Sequence, residues 1–363
     1  MNYKAIFGIL IAFAITIVGC SKSDNDTPNP TNMDVKVSLD VKFDDAFEGT
    51  LYPSTIFSFA SLKILNQEKL TYFDVTINSD KEFDGRIKIT NDKFIRETVV
   101  DKTIKAGKNV IPLNVLWKFD DFVNITTSGY THFKVELMDK SNKVIATKNV
   151  QLSYRSINEC VFATKKEDGS IVDLRFLFAS YVNEDSKLID MFLSAALKRN
   201  NEEFGSDPLL NLAYGWAGYQ AGEDYLDTQV EAIIYQLYKL GMQYSSITDT
   251  SNAATKIYSQ NVRFINESLL LQNANCVDGT VLLASILEKI GIRCFLVLEP
   301  GHMYLAYSST GKTEISLNDL NFVETTLIST GDMVKIMKDK GINAKQNFIS
   351  IRKAREAGIK PIQ

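Results

Sequence analysis

Histidine is almost missing from this chain: there are two in 363 residues, His132 and His302. With so few imidazoles, four cysteines and no Cys-x-x-Cys pair, a tetrahedral zinc site is not expected. Charge of one sign is lacking too. Forty Lys and Arg stand against 44 Asp and Glu, a net −4 with the signs interspersed. A phosphate backbone needs a concentrated basic face, so nucleic acid is excluded as a partner. Beyond the first twenty residues no apolar stretch is long enough to span a bilayer, and no internal repeat stands out. What remains is an ordinary globular composition, at a length that calls for two domains or more.

The N-terminus defines the compartment. Met1 to Lys4 form a short basic region, and Ala5 to Val18 an apolar run shorter than a usual membrane span. Ile17-Val18-Gly19-Cys20 then resembles the lipobox of bacterial lipoproteins. The resemblance implies a signal peptide over 1–19, acylation of the Cys20 thiol, and lipid anchoring in a Gram-negative cell envelope. The outer membrane is the expected site, with a periplasmic or surface-exposed face. Residues 20–33, rich in Asp, Asn, Pro, Ser and Thr, read as a solvated tether.

The fold class expected is multidomain α+β. Over 34–157, apolar residues alternate with polar ones: Val35, Val37, Leu39, Val41 and Phe43, then Ile87 and Ile89, Phe133, Val135 and Leu137, and Val144, Ala146 and Val150. Turn-like spacers separate them, which favours an antiparallel β-sandwich of immunoglobulin type. His132 lies in one of these strands and reads as structural. From 158 to 363 a helix-rich α+β domain follows, with a helical lead-in over 170–272 and a core over 273–330. Ser186 is placed to cap one helix. Thr228 and Glu231 have capping-box spacing for another, closed by Gly241. Tyr214, Trp216 and Tyr219 read as packing, though aromatics beside a cleft also shape pockets.

The chemistry concentrates at Asn273 to Cys294. Gly279, Leu282, Leu283, Ile286, Leu287 and Ile290 recur at steps of three and four, with Asp278, Ser285, Glu288 and Lys289 on the other side. This is the pattern of an amphipathic helix that Gly291 would end. Cys276 stands at its head, where free N–H groups and partial positive charge favour a thiolate. With Cys20 assigned to lipidation, Cys160, Cys276 and Cys294 remain; three is odd, so one thiol stays free, and a Cys160–Cys294 bridge is left open. A cysteine nucleophile needs a base, and the base an orienting group. His302 follows Cys276 by 26 residues, after one helix, one strand and a turn; Glu324 follows His302 by 22, in an apolar strand Asn321–Leu327. A buried carboxylate is costly without a partner, and a histidinium would supply one.

The stretches NCVDGTVLLASILEKIGI, PGHMYLAY and NFVETTLI, within Asn275 to Thr330, resemble the transglutaminase-like superfamily, papain-related folds with a Cys–His–Asp triad in that chain order. QNVRFINESL, Gln260 to Leu269, resembles the lead-in of bacterial members more loosely. The resemblance implies a transglutaminase-like or papain-like domain. In it Cys276 is the nucleophile, His302 the base and then the acid, and Glu324 the orienting acid. Glu where the family has Asp is a departure, and Asp319 is the alternative acid. The Cys276 N–H is the natural first oxyanion donor; Gln260, Gln272 and Asn275 are candidates for the second. Asp278 reads as an N-terminal helix residue.

Such a site would attack an amide or isopeptide carbonyl of a peptide or protein substrate, form a thioester and pass the acyl group to water. It needs neither cofactor nor metal. Acyl transfer to an amine uses the same thioester. The competing reading is a lipoprotein that binds peptide or glycan without turnover. The retained Cys–His pair favours the enzyme, because an idle thiol in the envelope is open to oxidation.

Overall fold

Period-two alternation resolves into two sheets whose apolar faces meet. A computed structural model describes residues 35–44, 47–63, 71–207, 210–245 and 256–362. The expected signal peptide 1–19, Cys20 and the tether lie outside the described residues. The first sheet is antiparallel, with Phe73–Ser79 between Val37–Phe43 and Gly107–Leu113. The second runs in the order Thr50–Leu51, Val144–Tyr154, Gly129–Asp139, Phe83–Thr90, Thr98–Ile104. It is antiparallel except where Thr50–Leu51 pairs in parallel with Ser153–Tyr154. Phe73, Val75 and Ile77 from one sheet and Ile87, Ile89, Phe133, Val135 and Leu137 from the other are all buried. The Phe73 and Phe133 rings lie 4.9 Å apart between the sheets.

This region is not made of strands alone, as the alternation suggested. Pro53–Ser61 forms a helix with proline in its first turn. There the missing N–H costs nothing and the fixed φ suits the helix, whereas in a strand it would break the ladder. The helix joins the two halves of the chain. Ser54 Oγ donates to the Glu159 carbonyl at 2.5 Å, and Ser58 Oγ meets Ser180 Oγ at 2.7 Å. Most buried apolar residues from Val41 to Ile362 accordingly form one connected cluster, with Val297, Tyr304, Ala306, Leu320 and Phe322 in a second.

Past Ile157 the architecture mixes helices with three further sheets among the described residues, one of them only two short strands. Glu159–Lys165 pairs with Ile171–Asp173 and Ile257–Asn261, so both partner strands lie within the expected helical lead-in over 170–272. Helices Lys187–Phe204 and Asp224–Lys239 follow the expected periodicity, with corrected ends. Ser186 occupies the N-cap position but makes no side-chain cap bond. Thr228 lies inside its helix, which opens at Asp224 after Gly222 turns the chain at φ +94°. The four-stranded sheet carrying His302 is antiparallel, in the order Leu320–Val323, His302–Ser308, Cys294–Glu299, Asn347–Ser350. Its last strand comes from the tail, beyond the expected core over 273–330. Among the described residues no helix is long and apolar enough to cross a membrane.

Helix Cys276–Lys289 is the centre of this half. Val277 through Leu287 are all buried, so the helix is enclosed rather than one-sided. Its polar residues are covered because each meets a partner in the covering chain. Ser285 Oγ accepts the Asn183 N–H at 2.9 Å, and Glu288 Oε1 accepts the Cys294 N–H at 2.6 Å. Ile290 caps the helix and Gly291 follows in the left-handed region at φ +83°.

Cys160 and Cys294 are free and buried, which excludes a bridge between them. Burial raises both thiols well above their ordinary range. Mass-spectrometric mapping after a short iodoacetamide pulse on the native protein is expected to find label on the partly exposed Cys276 alone of the three. Cys160 and Cys294 should react only after denaturation.

Candidate active site

The head of helix Cys276–Lys289 is tied down by a reciprocal cap. Asn275 Oδ1 accepts the Val277 and Asp278 N–H groups at 2.8 and 2.9 Å, while Asp278 Oδ2 accepts the Asn275 N–H at 3.1 Å. Asp278 also accepts the Arg263 N–H at 2.8 Å and the Arg263 guanidinium at 2.8 Å. Its carboxylate is fully buried. Burial therefore pushes it above the usual carboxylate range against these donors. Arg263 begins the lead-in to helix Ile265–Leu271, so one carboxylate binds the preceding segment to the helix head. Gly279 faces Thr325: a Cβ there would lie 3.2 Å from the Thr325 side chain. The Cys-x-Asp-Gly spacing thus sets the cap and the close approach in a single turn.

His302 opens the second strand of a hairpin whose two-residue turn, Pro300-Gly301, leaves Glu299 paired with His302. The strand bearing Glu324 ends one residue earlier, at Val323, and not at Leu327 as expected. Glu324 instead caps the 3-10 turn Thr325–Thr330, its carboxylate accepting the Thr326 N–H at 3.3 Å. The Thr326 hydroxyl donates to the same oxygen, Oε1, at 2.7 Å. The other oxygen, Oε2, lies 2.9 Å from His302 Nε2 and also takes the Lys340 ammonium. The glutamate side chain, one methylene longer than aspartate, reaches the imidazole.

With Nε2 on Glu324, Nδ1 is the ring nitrogen left for the Cys276 thiol. Hydrogen bonding to Cys276 is the largest influence on His302; with Glu324 it outweighs burial and raises the imidazole from 6.5 to about 9. Burial works to raise Glu324, but His302, Lys340 and Thr326 together hold it down at about 2. His302 and Glu324 therefore form an ion pair whose carboxylate is 7 % exposed.

The other sequence candidates separate clearly. Asp319 accepts Ser316 N–H and Oγ at 2.9 and 2.8 Å, at the Ser308 end of the sheet, away from His302. It is therefore not the acid beside the imidazole. Among the described residues, neither Gln260 nor Gln272 hydrogen-bonds Cys276, His302 or Glu324. Gln260 Nε2 donates to the Asn261 carbonyl at 3.1 Å. Gln272 is exposed in a left-handed C-cap at φ 50°. The side-chain oxygen of Asn275 serves the helix cap. These bonds leave the Cys276 N–H outside the cap, free to donate to an oxyanion. Trp216 and Tyr219 are packing residues, bonded to the Leu193 and Ser308 carbonyls, and Tyr214 is exposed.

Two neighbours escaped sequence reasoning. Tyr244 belongs to a two-residue strand parallel to Asn273–Ala274, in register with Ala274. Its phenol is raised chiefly by burial, and it lines a small cavity with Ala274, Gly279 and Thr325 next to the helix head. Lys340 also lies 4.3 Å over the Tyr304 ring, and that ring tilts against His302 at 5.7 Å. Gln346 donates to the Tyr304 hydroxyl at 2.7 Å and Asn343 to Glu299 at 3.4 Å, so this loop straps the rim of the site. Neither residue sits in a motif; only the fold brings them in. No protein-family model matches the chain, and no curated protein matches it.

Replacing Asp278 with Ala is expected to cost about 3–5 kcal/mol in chemical denaturation, because the Arg263 guanidinium loses its partner in a buried setting. For the His302–Glu324 pair, folding raises the histidine and lowers the glutamate. The histidine contribution is complete below pH 6.5 and drains away as pH rises through about 9; the glutamate contribution is present above 4.5 and is lost as pH falls through about 2. The difference in melting temperature between the natural protein and Glu324→Gln should therefore be greatest between pH 5 and 6.5 and narrow on either side, as scanning calorimetry across pH would show.

Proposed function

We propose that this chain is a cysteine-dependent amidase or peptidase with a transglutaminase-like, papain-like catalytic half, carried behind an immunoglobulin-like β-sandwich. Anchoring to a bacterial cell envelope through an acylated Cys20 belongs to the same reading. The observation that carries it is the convergence of Cys276 at a capped helix head, His302 and Glu324 on one line of contacts. One heads a helix, one opens a strand and one caps a 3-10 turn, and none neighbours another in the chain. An imidazolium that stays protonated to about pH 9 stabilises a thiolate beside it across the physiological range.

In the proposed reaction the Cys276 sulfur attacks an amide carbonyl, and the developing oxyanion accepts the Cys276 N–H. His302 delivers its proton to the leaving amine, which departs as the thioester forms. The neutral imidazole then takes a proton from water, whose oxygen attacks the thioester; the carboxylic acid leaves and the thiolate–imidazolium pair is restored. Glu324 keeps the ring oriented in both halves of the cycle.

A mixture of amidated peptides with varied apolar residues, incubated with the protein and analysed by mass spectrometry, tests the reading. The expected outcome is an acyl adduct mapped to Cys276 together with released amine, both absent in Cys276→Ala. In His302→Ala the iodoacetamide reaction of Cys276 at neutral pH should slow by about tenfold or more. Bound peptide without adduct or cleavage, and alkylation indifferent to His302, would leave a binding protein and end the enzymatic reading.

A further inference from the structure

The carboxylate of Glu324 holds two cations where the triad needs only one. His302 Nε2 and the Lys340 ammonium meet the same oxygen, Oε2, while Thr326 holds the other. The lysine side chain is 25 % exposed and the glutamate 9 %, so this is a sheltered ion pair rather than a surface one. Lys340 is also laid over the Tyr304 ring, and Tyr304 is itself held by Glu299 and Gln346. Cation–π contact and strap together restrict the ammonium to one place.

A triad whose histidine cycles between charged and neutral forms has a difficulty here. Each time His302 gives up its proton, a carboxylate with 7 % exposure would lose its only countercharge if the lysine were absent. A buried unpaired charge is strongly unfavourable. The histidine would then hold its proton too tightly to donate it. We infer that Lys340 is a standing counter-ion that keeps Glu324 ionised in both halves of the cycle, and so sets how readily His302 releases its proton. This rests on the catalytic reading of Cys276, His302 and Glu324. Lys340 touches no reacting atom and acts through Glu324; it is a positioning residue. The charged and titratable groups facing the pair are Cys276 from the helix, Tyr244 from its short strand, Tyr304 and His302 from the hairpin, and Lys340 from the loop. Glu299, bonded to Tyr304, stands one step behind.

The chain has only two histidines, so His302 can be followed directly by carbon-edited proton NMR of its ring, with the exposed His132 as internal reference. In Lys340→Met the His302 titration midpoint is expected to move up by about one pH unit, since the imidazolium is then the one countercharge left to the sheltered Glu324 carboxylate. Lys340→Arg, which retains the charge and stacks on an aromatic ring, should leave it in place. In a Glu324→Gln background, Lys340→Met should not raise the midpoint, because the carboxylate through which the lysine acts is gone. A midpoint unchanged in Lys340→Met, or raised equally with and without Glu324, would overturn the assignment. Should Lys340→Met fail to fold, the same titration in Lys340→Gln carries the test. The readout is separate from catalysis: a protein whose Cys276 reactivity ignores His302 would refute the enzymatic reading, yet its histidine titration would still report the lysine.

Discussion

The buried carboxylate of Asp278 is the point on which the C-terminal half turns. It sits in the first turn of helix Cys276–Lys289, closes the cap with Asn275 and holds both the backbone and the guanidinium of Arg263. A helix buried through eleven consecutive residues cannot leave its first N–H groups to water, so they must be satisfied by protein. Asp278 and Asn275 do this, and the solution places Cys276 at the helix head with its own N–H outside the cap. The negative charge that might oppose a thiolate next door is taken up by Arg263. The same residue thus stabilises the helix and leaves the electrostatics of the cysteine to the imidazole across from it.

From that imidazole outward, charge alternates: histidine, carboxylate, lysine. Each member is compensated by the next, which is what allows a glutamate to persist at 7 % exposure with its carboxyl held at about 2. The two clusters are linked mechanically. Thr325, next to Glu324, approaches Gly279 and shares the Cys276 carbonyl with Thr280, at 3.5 and 2.6 Å respectively. The chain after Val323 therefore rests against the first turn of the helix. Orientation of the acid and placement of the proposed nucleophile are set by one packed contact.

Much of this was legible along the chain, and the reasons are local. The step of three and four from Gly279 to Ile290 located the helix, and Gly291 its end. Alternation located the three inner strands of the larger sheet and the edge strand Val37–Phe43 of the smaller one, because a half-buried sheet imposes period two on its own sequence, but it missed Phe73–Ser79 between the smaller sheet's edges. The Cys276, His302 and Glu324 candidates were visible because histidine is so scarce. Other features depended on partners remote in sequence. Ser285 and Glu288 read as a solvent face, yet both are covered by chain that supplies them donors. The strand bearing Glu324 was read too long, since apolar content alone does not reveal that its carboxylate caps the next turn. The second oxyanion donor was sought among three polar residues, none of which contacts the cysteine side chain, while Tyr244 beside it belongs to a strand of two residues, too short to carry a pattern.

The sequence by itself determined the periodic elements and the order of the candidate residues, because helix and strand periods are written in neighbouring side chains. Only the tertiary structure decided that Cys160 and Cys294 stay apart, that Asp319 lies at the wrong end of its sheet, and that the tail returns to complete the sheet carrying His302. It alone decided that Lys340, sixteen residues beyond Glu324, lands on the oxygen that also holds the histidine. Those outcomes follow from burial: a carboxylate removed from water must find its donors wherever the fold delivers them, and no spacing along the chain records which ones arrive.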